Sequence, residues 1–177
     1  MDKQDFIRMG VGALALSASG LVYIANREAY RGQAYPDIAA VPTIGYGSTA
    51  GVKLGDKTTP ERALIRLRAD AGDVEVVLRR CIKVPLFQYE WDAYVALAHN
   101  VGPGAFCRSS GNAAKPNLID LINAQRYAEA CQRIHAYRLV TNPKTGLKEV
   151  SAGLVNARER EYRICTGQPA DGYGVPR

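Results

Sequence analysis

Glu28, Asp37 and Thr43 fall within one short stretch, NREAYRGQAYPDIAAVPTIGYGST, that begins at Asn26. A carboxyl that keeps its proton near neutral pH can protonate a leaving oxygen. A second, ionised group nearby can orient the attacking water, and hydrolysis of a glycosidic bond needs both parts. Glu28 stands at the end of an apolar, helix-like segment, where partial burial is expected to raise its pKa and suit it to the acid role. Asp37 and Thr43 lie in or beside a β-prone stretch and are expected to hold a water across a cleft from Glu28. A chain with 17 acidic residues offers such pairs by accident, so these types and spacings alone are a weak signal.

The elements that must position these groups begin with an unusual neighbour. From Met9 to Ala25 the chain reads MGVGALALSASGLVYIA, seventeen residues without a charge, flanked by Lys3 and Arg8 on one side and Arg27 on the other. That is at the short end for a bilayer-spanning helix. Gly, Ala and Ser make up much of it, so few side chains bring a large transfer free energy. Cleaved signal peptide, permanent anchor and weak span able to leave the bilayer are the competing readings. A buried core helix is the plain alternative, and it also describes a released state. The small-residue run Ser17–Ser19 would serve as a cleavage site, yet an uncleaved, ordered segment is the simpler expectation.

Beyond it, residues 35 to 58 alternate short β-prone pieces with glycines, the pattern of a small hairpin sheet. Thr58 stands three before Glu61 at capping-box spacing, and Ala63, Leu64, Leu67, Ala71, Val74 and Leu78 then recur with helical period. A second helix carries Trp91, Val95 and Ala98 inward and stops at Gly102 and Gly104. Helical patterns follow at 117–123, 127–137 and 152–165. TNPKTG reads as a loop between the last two, and the Pro- and Gly-rich tail as an extended surface covering. The expected class is α+β, a small antiparallel β-hairpin lobe on a mainly helical body, with a cleft between the lobes as the binding site.

Lys plus Arg exceed Asp plus Glu by six, and the excess lies in the body, which favours anionic partners. Aromatic and basic residues are scattered without a nucleic-acid reading head or zinc-finger spacing, so no nucleic-acid partner is expected. No CxxC occurs, and no metal or cofactor is expected. Cys81, Cys107, Cys131 and Cys165 are an even set in a chain that looks exported, which suggests two disulfides in one of three connectivities. Cys81 with Cys107 is favoured because it brackets one helical stretch. Cys131 with Cys165 is favoured because both lie on amphipathic helices able to pack together. Glu61, Asp70, Asp73, Glu75, Glu90 and Asp92 read as solvated helix faces, His99 as a hydrogen-bonded core residue, and Trp91 and Tyr94 as packing. Tyr35 and Tyr46 are candidates to line a sugar cleft, with hairpin packing as the equal alternative.

The ordered pattern Glu28-x8-Asp37-x5-Thr43 with TIGYGST resembles the catalytic motif of the phage-type lysozymes, glycoside hydrolase family 24. ALAHNVGPGAF at 96–106 is similar to that family's Asn-Val-Gly turn, and GLVNARERE is similar to its Gly-Leu, Arg and Glu run. The resemblance spans about residues 27 to 165. It implies a lysozyme-like fold and cleavage of the β-1,4 bond between N-acetylmuramic acid and N-acetylglucosamine in peptidoglycan, with inversion. Glu28 would be the acid, Asp37 and Thr43 would position the water, and Tyr35, Tyr46 and Asn100 would bind substrate.

The N-terminal segment resembles that of signal-arrest-release endolysins, exported uncleaved, held inactive in the inner membrane facing the periplasm, and freed on depolarisation. This divides the chain into a release segment (1–26), a catalytic domain (27–166) and a tail (167–177), acting as a monomer. Many relatives carry two arginines where this chain has Ala157 and Arg158, so a salt bridge supporting the acid would rest on Arg158. Tyr137 stands for a customary Trp, and the loop 107–115 is longer than usual. No cysteine lies in the segment, so inhibition would be topological. The readings from other classes are a catalytically silent peptidoglycan-binding protein and a membrane disruptor.

Overall fold

In the computed structural model, residues 7–37, 40–143 and 145–173 are described. The charged start of the N-terminal segment, including Lys3, and the last four residues of the tail lie outside them. Ser17 opens α1 (Ala18–Glu28), its hydroxyl accepting the Gly20 N–H at 3.0 Å. The helix ends where Ala29 takes a left-handed φ of 54°. The chain turns directly into a hairpin, β1 (Arg31–Pro36) antiparallel to β2 (Pro42–Gly45), with Tyr35 opposite Thr43 and Pro36 opposite Pro42. The hairpin therefore starts before the stretch that glycine spacing marks.

Next comes α2 (Pro60–Cys81), capped by Thr59, which accepts from Arg62 N, and not by Thr58 as the capping-box spacing suggests. Pro60 occupies the first turn, where its missing N–H costs nothing. α3 (Gln88–Val101) is the axis of the molecule: Glu90 through Ala98 are all buried, because α1, α2 and the C-terminal helix cover it from several sides. After α4 (Pro103–Phe106), α5 (Leu118–Asn123), α6 (Tyr127–Arg133) and a short 3-10 turn (Ile134–Ala136) comes a second hairpin, β3 (Leu139–Thr141) with β4 (Lys148–Val150), before α7 (Ala152–Cys165).

This second hairpin corrects the reading of TNPKTG as a plain loop. The turn is there, but the strands flanking it are only three residues each, too short to register as a period. The expected helices at 117–123, 127–137 and 152–165 are present, the middle one tightening at its end.

Among the described residues no helix is long and apolar enough to cross a membrane. Residues 9–25 are instead packed on the body, with Leu14, Leu16, Tyr23, Ile24 and Ala25 in the core; the core-helix reading holds from Ala18 on, while residues 9–17 run non-helically over the body. Glu75, Glu90 and Asp92 are buried, not solvated: Leu16 and Ser17 of the segment lie over Glu75 and Asp92, and Arg8 and the Phe87 N–H meet Glu90. The tail is corrected too: Tyr173 is inserted, 3% exposed, with its hydroxyl on Asp92.

The disulfides are Cys81–Cys107, tying α2 to the end of α4, and Cys131–Cys165, tying α6 to α7. They close sequence separations of 26 and 34 residues, so each is expected to contribute about 2–4 kcal/mol by restricting the unfolded chain. Reduction should lower the calorimetric midpoint by ~10–20 °C. A fall of only about 2 °C would show that the cross-links lie outside the cooperative unit.

Candidate active site

Glu28 is the last residue of α1, and its carboxylate lies at the seam between the helical body and the first hairpin. Arg27 meets it from the preceding position: Nη2 donates to Oε1 at 2.5 Å and Nε donates to the same oxygen at 3.1 Å. Oε2 faces the turn after β2, where a Cβ on Gly47 would stand 3.6 Å away. Gly47 has a φ of 88°, a left-handed turn that calls for glycine. The Glu28 side chain is 27% exposed and beside a cation. The apolar setting expected from the helix-like segment is thus replaced by an ion pair open on one side.

Arg27 belongs to a chain of buried charges. Its Nη1 donates to Glu161 at 2.9 Å and to the Ala96 carbonyl at 3.3 Å. Glu161, fully buried, also accepts from Arg158 at 2.5 Å, and Arg158 reaches on to the Asn100 side-chain oxygen. Glu28 and Glu161 face Arg27 and Arg158, so the four formal charges cancel. Burial pushes the Glu161 carboxyl up against the pull of both arginines, and pushes Arg158 down. At Arg27 burial works the same way, but Glu28 and Glu161 outweigh it and raise its pKa.

The cation on the acid is therefore Arg27, and Arg158 acts through Glu161, a correction to the support expected from Arg158. Arg27 and Glu161 were not among the candidates. On a regular helix, neighbours in sequence do not face one another, so spacing along α1 does not suggest the Arg27–Glu28 pair. The one signal was the Arg and Glu run of α7.

Asp37 and Thr43 sit on the hairpin. Asp37 N donates to Val41 O at 3.0 Å and its Oδ1 accepts Val41 N at 2.8 Å, so the carboxylate also shapes the turn. Tyr35, directly opposite Thr43, shares its hairpin face, and Asp37 follows β1 at the start of the connecting turn. Thr43 is 4% exposed and its hydroxyl donates to Val41 O at 3.0 Å, which leaves the oxygen's lone pairs to accept from a water.

Tyr46 packs 5.6 Å from Tyr30, and the Arg31 guanidinium lies 5.5 Å over Tyr35. Both rings thus have packing partners on the hairpin while remaining half exposed. Asn100 is exposed, with its side-chain oxygen committed to Arg158.

Across Gly47 lies a hollow of about 280 Å³ whose lining includes Thr49, Asp70, Asp73 and His99. The buried Nδ1 of His99 has no hydrogen-bond partner among the described residues. Burial, helped by Arg27 and opposed by Glu28 and Asp70, lowers its pKa and favours the neutral ring. No group of three or more metal-ligating side chains occurs among the described residues.

Comparison with known proteins gives a consistent result. A sequence model of the family described as phage lysozyme matches residues 25–161. The SAR-endolysin of Pseudomonas phage phiKMV is 39% identical over 161 residues, 91% of this chain and 92% of that protein. Among solved structures, an endolysin from Escherichia coli O157:H7 phage FAHEc1 superposes with a TM-score of 0.77 at 32% identity, covering 92% of this chain and 99% of that one. The muramidase domain of SpmX from Asticaccaulis excentricus gives 0.77 at 27% identity, covering 86% and 97%.

Proposed function

This chain belongs to the phage lysozyme family, a muramidase of the endolysin kind, and from that premise we propose that Glu28, Asp37 and Thr43 cleave the β-1,4 bond between N-acetylmuramic acid and N-acetylglucosamine with inversion. Arg27 holds Oε1, so Oε2, on the Gly47 side, is the oxygen that delivers the proton to the glycosidic oxygen. Asp37 and Thr43 orient the water from the hairpin face, Thr43 as acceptor. Tyr35 and Tyr46, half exposed along the same lobe, offer ring faces to the sugars, and Asn100 offers its amide N–H groups. The basic body suits an anionic wall.

The observation that carries this reading is the placement of Glu28 at the junction of helix and hairpin, one oxygen anchored by Arg27 and the other turned to the β2 turn. Digestion of purified sacculi tests it. Products should carry new reducing N-acetylmuramic acid ends, appearing first as the α-anomer. Anhydro ends, freed peptide termini or a β-anomer formed first would each sink the assigned chemistry.

We further propose that residues 1–26 are a release segment. The protein is exported uncleaved, held in the inner membrane as an inactive monomer, and becomes soluble in the periplasm when the membrane depolarises. The uncharged stretch 9–25 supports this, because the same residues that suit lipid pack here into the body beside Glu28. Glu28 follows Ala25 by three residues, so a segment in lipid would pin the acid at the bilayer surface, away from the hairpin. An epitope-tagged chain should move at full length from membrane pellet to supernatant on adding an ionophore. A shortened supernatant form would identify a cleaved signal instead.

A further inference from the structure

A segment that must reside in lipid cannot bring ions of its own, so any specific seat for it has to be provided by the body. The contacts to residues 11–17 follow that logic. Leu16 N donates to the buried Glu75 carboxylate at 2.6 Å, and Ser17 N and Oγ donate to the two oxygens of the buried Asp92 at 2.9 and 2.5 Å. In return Arg79 donates to the Leu14 carbonyl at 2.7 Å and Gln88 to the Ala15 carbonyl at 2.8 Å. The segment offers backbone groups and one hydroxyl, and every charge comes from α2 and α3.

Asp92 lies at the N-terminus of α1, where a negative charge is favoured. Gly20 lets it approach: a Cβ there would stand 3.0 Å from Asp92 Cγ and 2.6 Å from Leu16 Cδ1. The tail completes the seat. Tyr173, almost fully buried, donates to Asp92 Oδ2 at 2.9 Å, and Gly172 lies against Asn26 of α1, where a Cβ would stand 3.0 Å from the amide nitrogen.

We infer that the α2–α3 face bearing Glu75, Arg79, Gln88 and Asp92 is a binding site for the non-helical backbone of residues 11–17, and that Tyr173 is its latch. The inference rests on the reading that residues 9–25 leave the membrane. Filling this site supplies the partners that offset departure from lipid. Emptying it leaves Glu75 without the Leu16 N–H and Asp92 without both Ser17 donors, so exit and docking are coupled.

The test uses Tyr173→Phe, with Asp92→Asn beside it. Both positions lie outside the segment, so its affinity for lipid is untouched. In cells the full-length protein carries Glu28→Gln to avoid lysis, and the soluble fraction is measured after ionophore addition. In the purified soluble protein, hydrogen exchange is followed at the Leu16 and Ser17 amides. The inference expects about tenfold faster exchange at both amides in Tyr173→Phe, the size of effect that one lost hydrogen bond to a charged group brings. It also expects several-fold more of each variant to remain in the membrane pellet.

Exchange unchanged in Tyr173→Phe, or variants released as fully as the parent, overturns the latch. If the parent never enters the pellet, the release reading fails on its own. The exchange arm still decides whether the seat exists.

Discussion

Glu28→Gln is expected to lower the rate at which purified protein clears outer-membrane-permeabilised bacteria by about a thousandfold, the middle of the range for loss of a general acid. The amide keeps the shape of the carboxyl and accepts from Arg27 through its oxygen, but has no acidic proton to give the leaving oxygen. Its melting midpoint should stay within about 3 °C of the parent, since the side chain is a quarter exposed. Clearing that survives the substitution would mean killing by membrane disruption through the basic surface, and the glycosidase assignment of Glu28 would fall. Thr43→Ala should cost less, about tenfold to a hundredfold, because Asp37 remains to hold the water.

Glu161→Ala is expected to have the largest effect on stability. It leaves Arg158, fully buried, and Arg27 with Glu28 as the one remaining carboxylate of the cluster. Breaking a buried pair by removing one partner costs about 3–5 kcal/mol, and for a chain of this size the melting midpoint should fall by ~10–15 °C. Activity per folded molecule, measured well below the new midpoint, should also fall about tenfold, because Arg27 loses the anchor that aims it at Glu28.

The double variant Arg158→Met with Glu161→Met separates the two roles. Replacing a buried pair by apolar groups of similar volume restores most of the lost stability, while kcat should stay low with KM little changed. Full kcat in the double variant would show that the cluster only supports the fold and does not position the acid.

Much of this molecule was legible without coordinates because its signals are local. Helical period, Pro60 in a first turn, glycines at turns and the even set of cysteines each act over a few residues, and they placed α2, α3, α5, α6 and α7. The disulfide partners were reached from one pair's bracketing of a helical stretch and from the other pair's place on two amphipathic helices able to pack. What failed were statements about faces. Glu75, Glu90 and Asp92 fall on the polar side of their helices and were read as solvated, and in a two-layer arrangement they would be. They are buried because the N-terminal chain forms a third layer over that side, with the Leu16 and Ser17 N–H groups on Glu75 and Asp92 and the Arg8 side chain on Glu90. The three-residue strands 139–141 and 148–150 escaped for a different reason: no period can be read from three residues.

The sequence by itself determined the family, the candidate reacting groups and an uncharged segment compatible with lipid, since these depend on residue types and spacing along one stretch. Only the tertiary structure decided which cation meets Glu28. Arg27, read along the chain as the water-side edge of a membrane segment, lies against Glu28 and is held from the other side by Glu161, 134 residues away. Charge pairing inside a protein depends on distance and burial in space, and neither is a property of position in the chain.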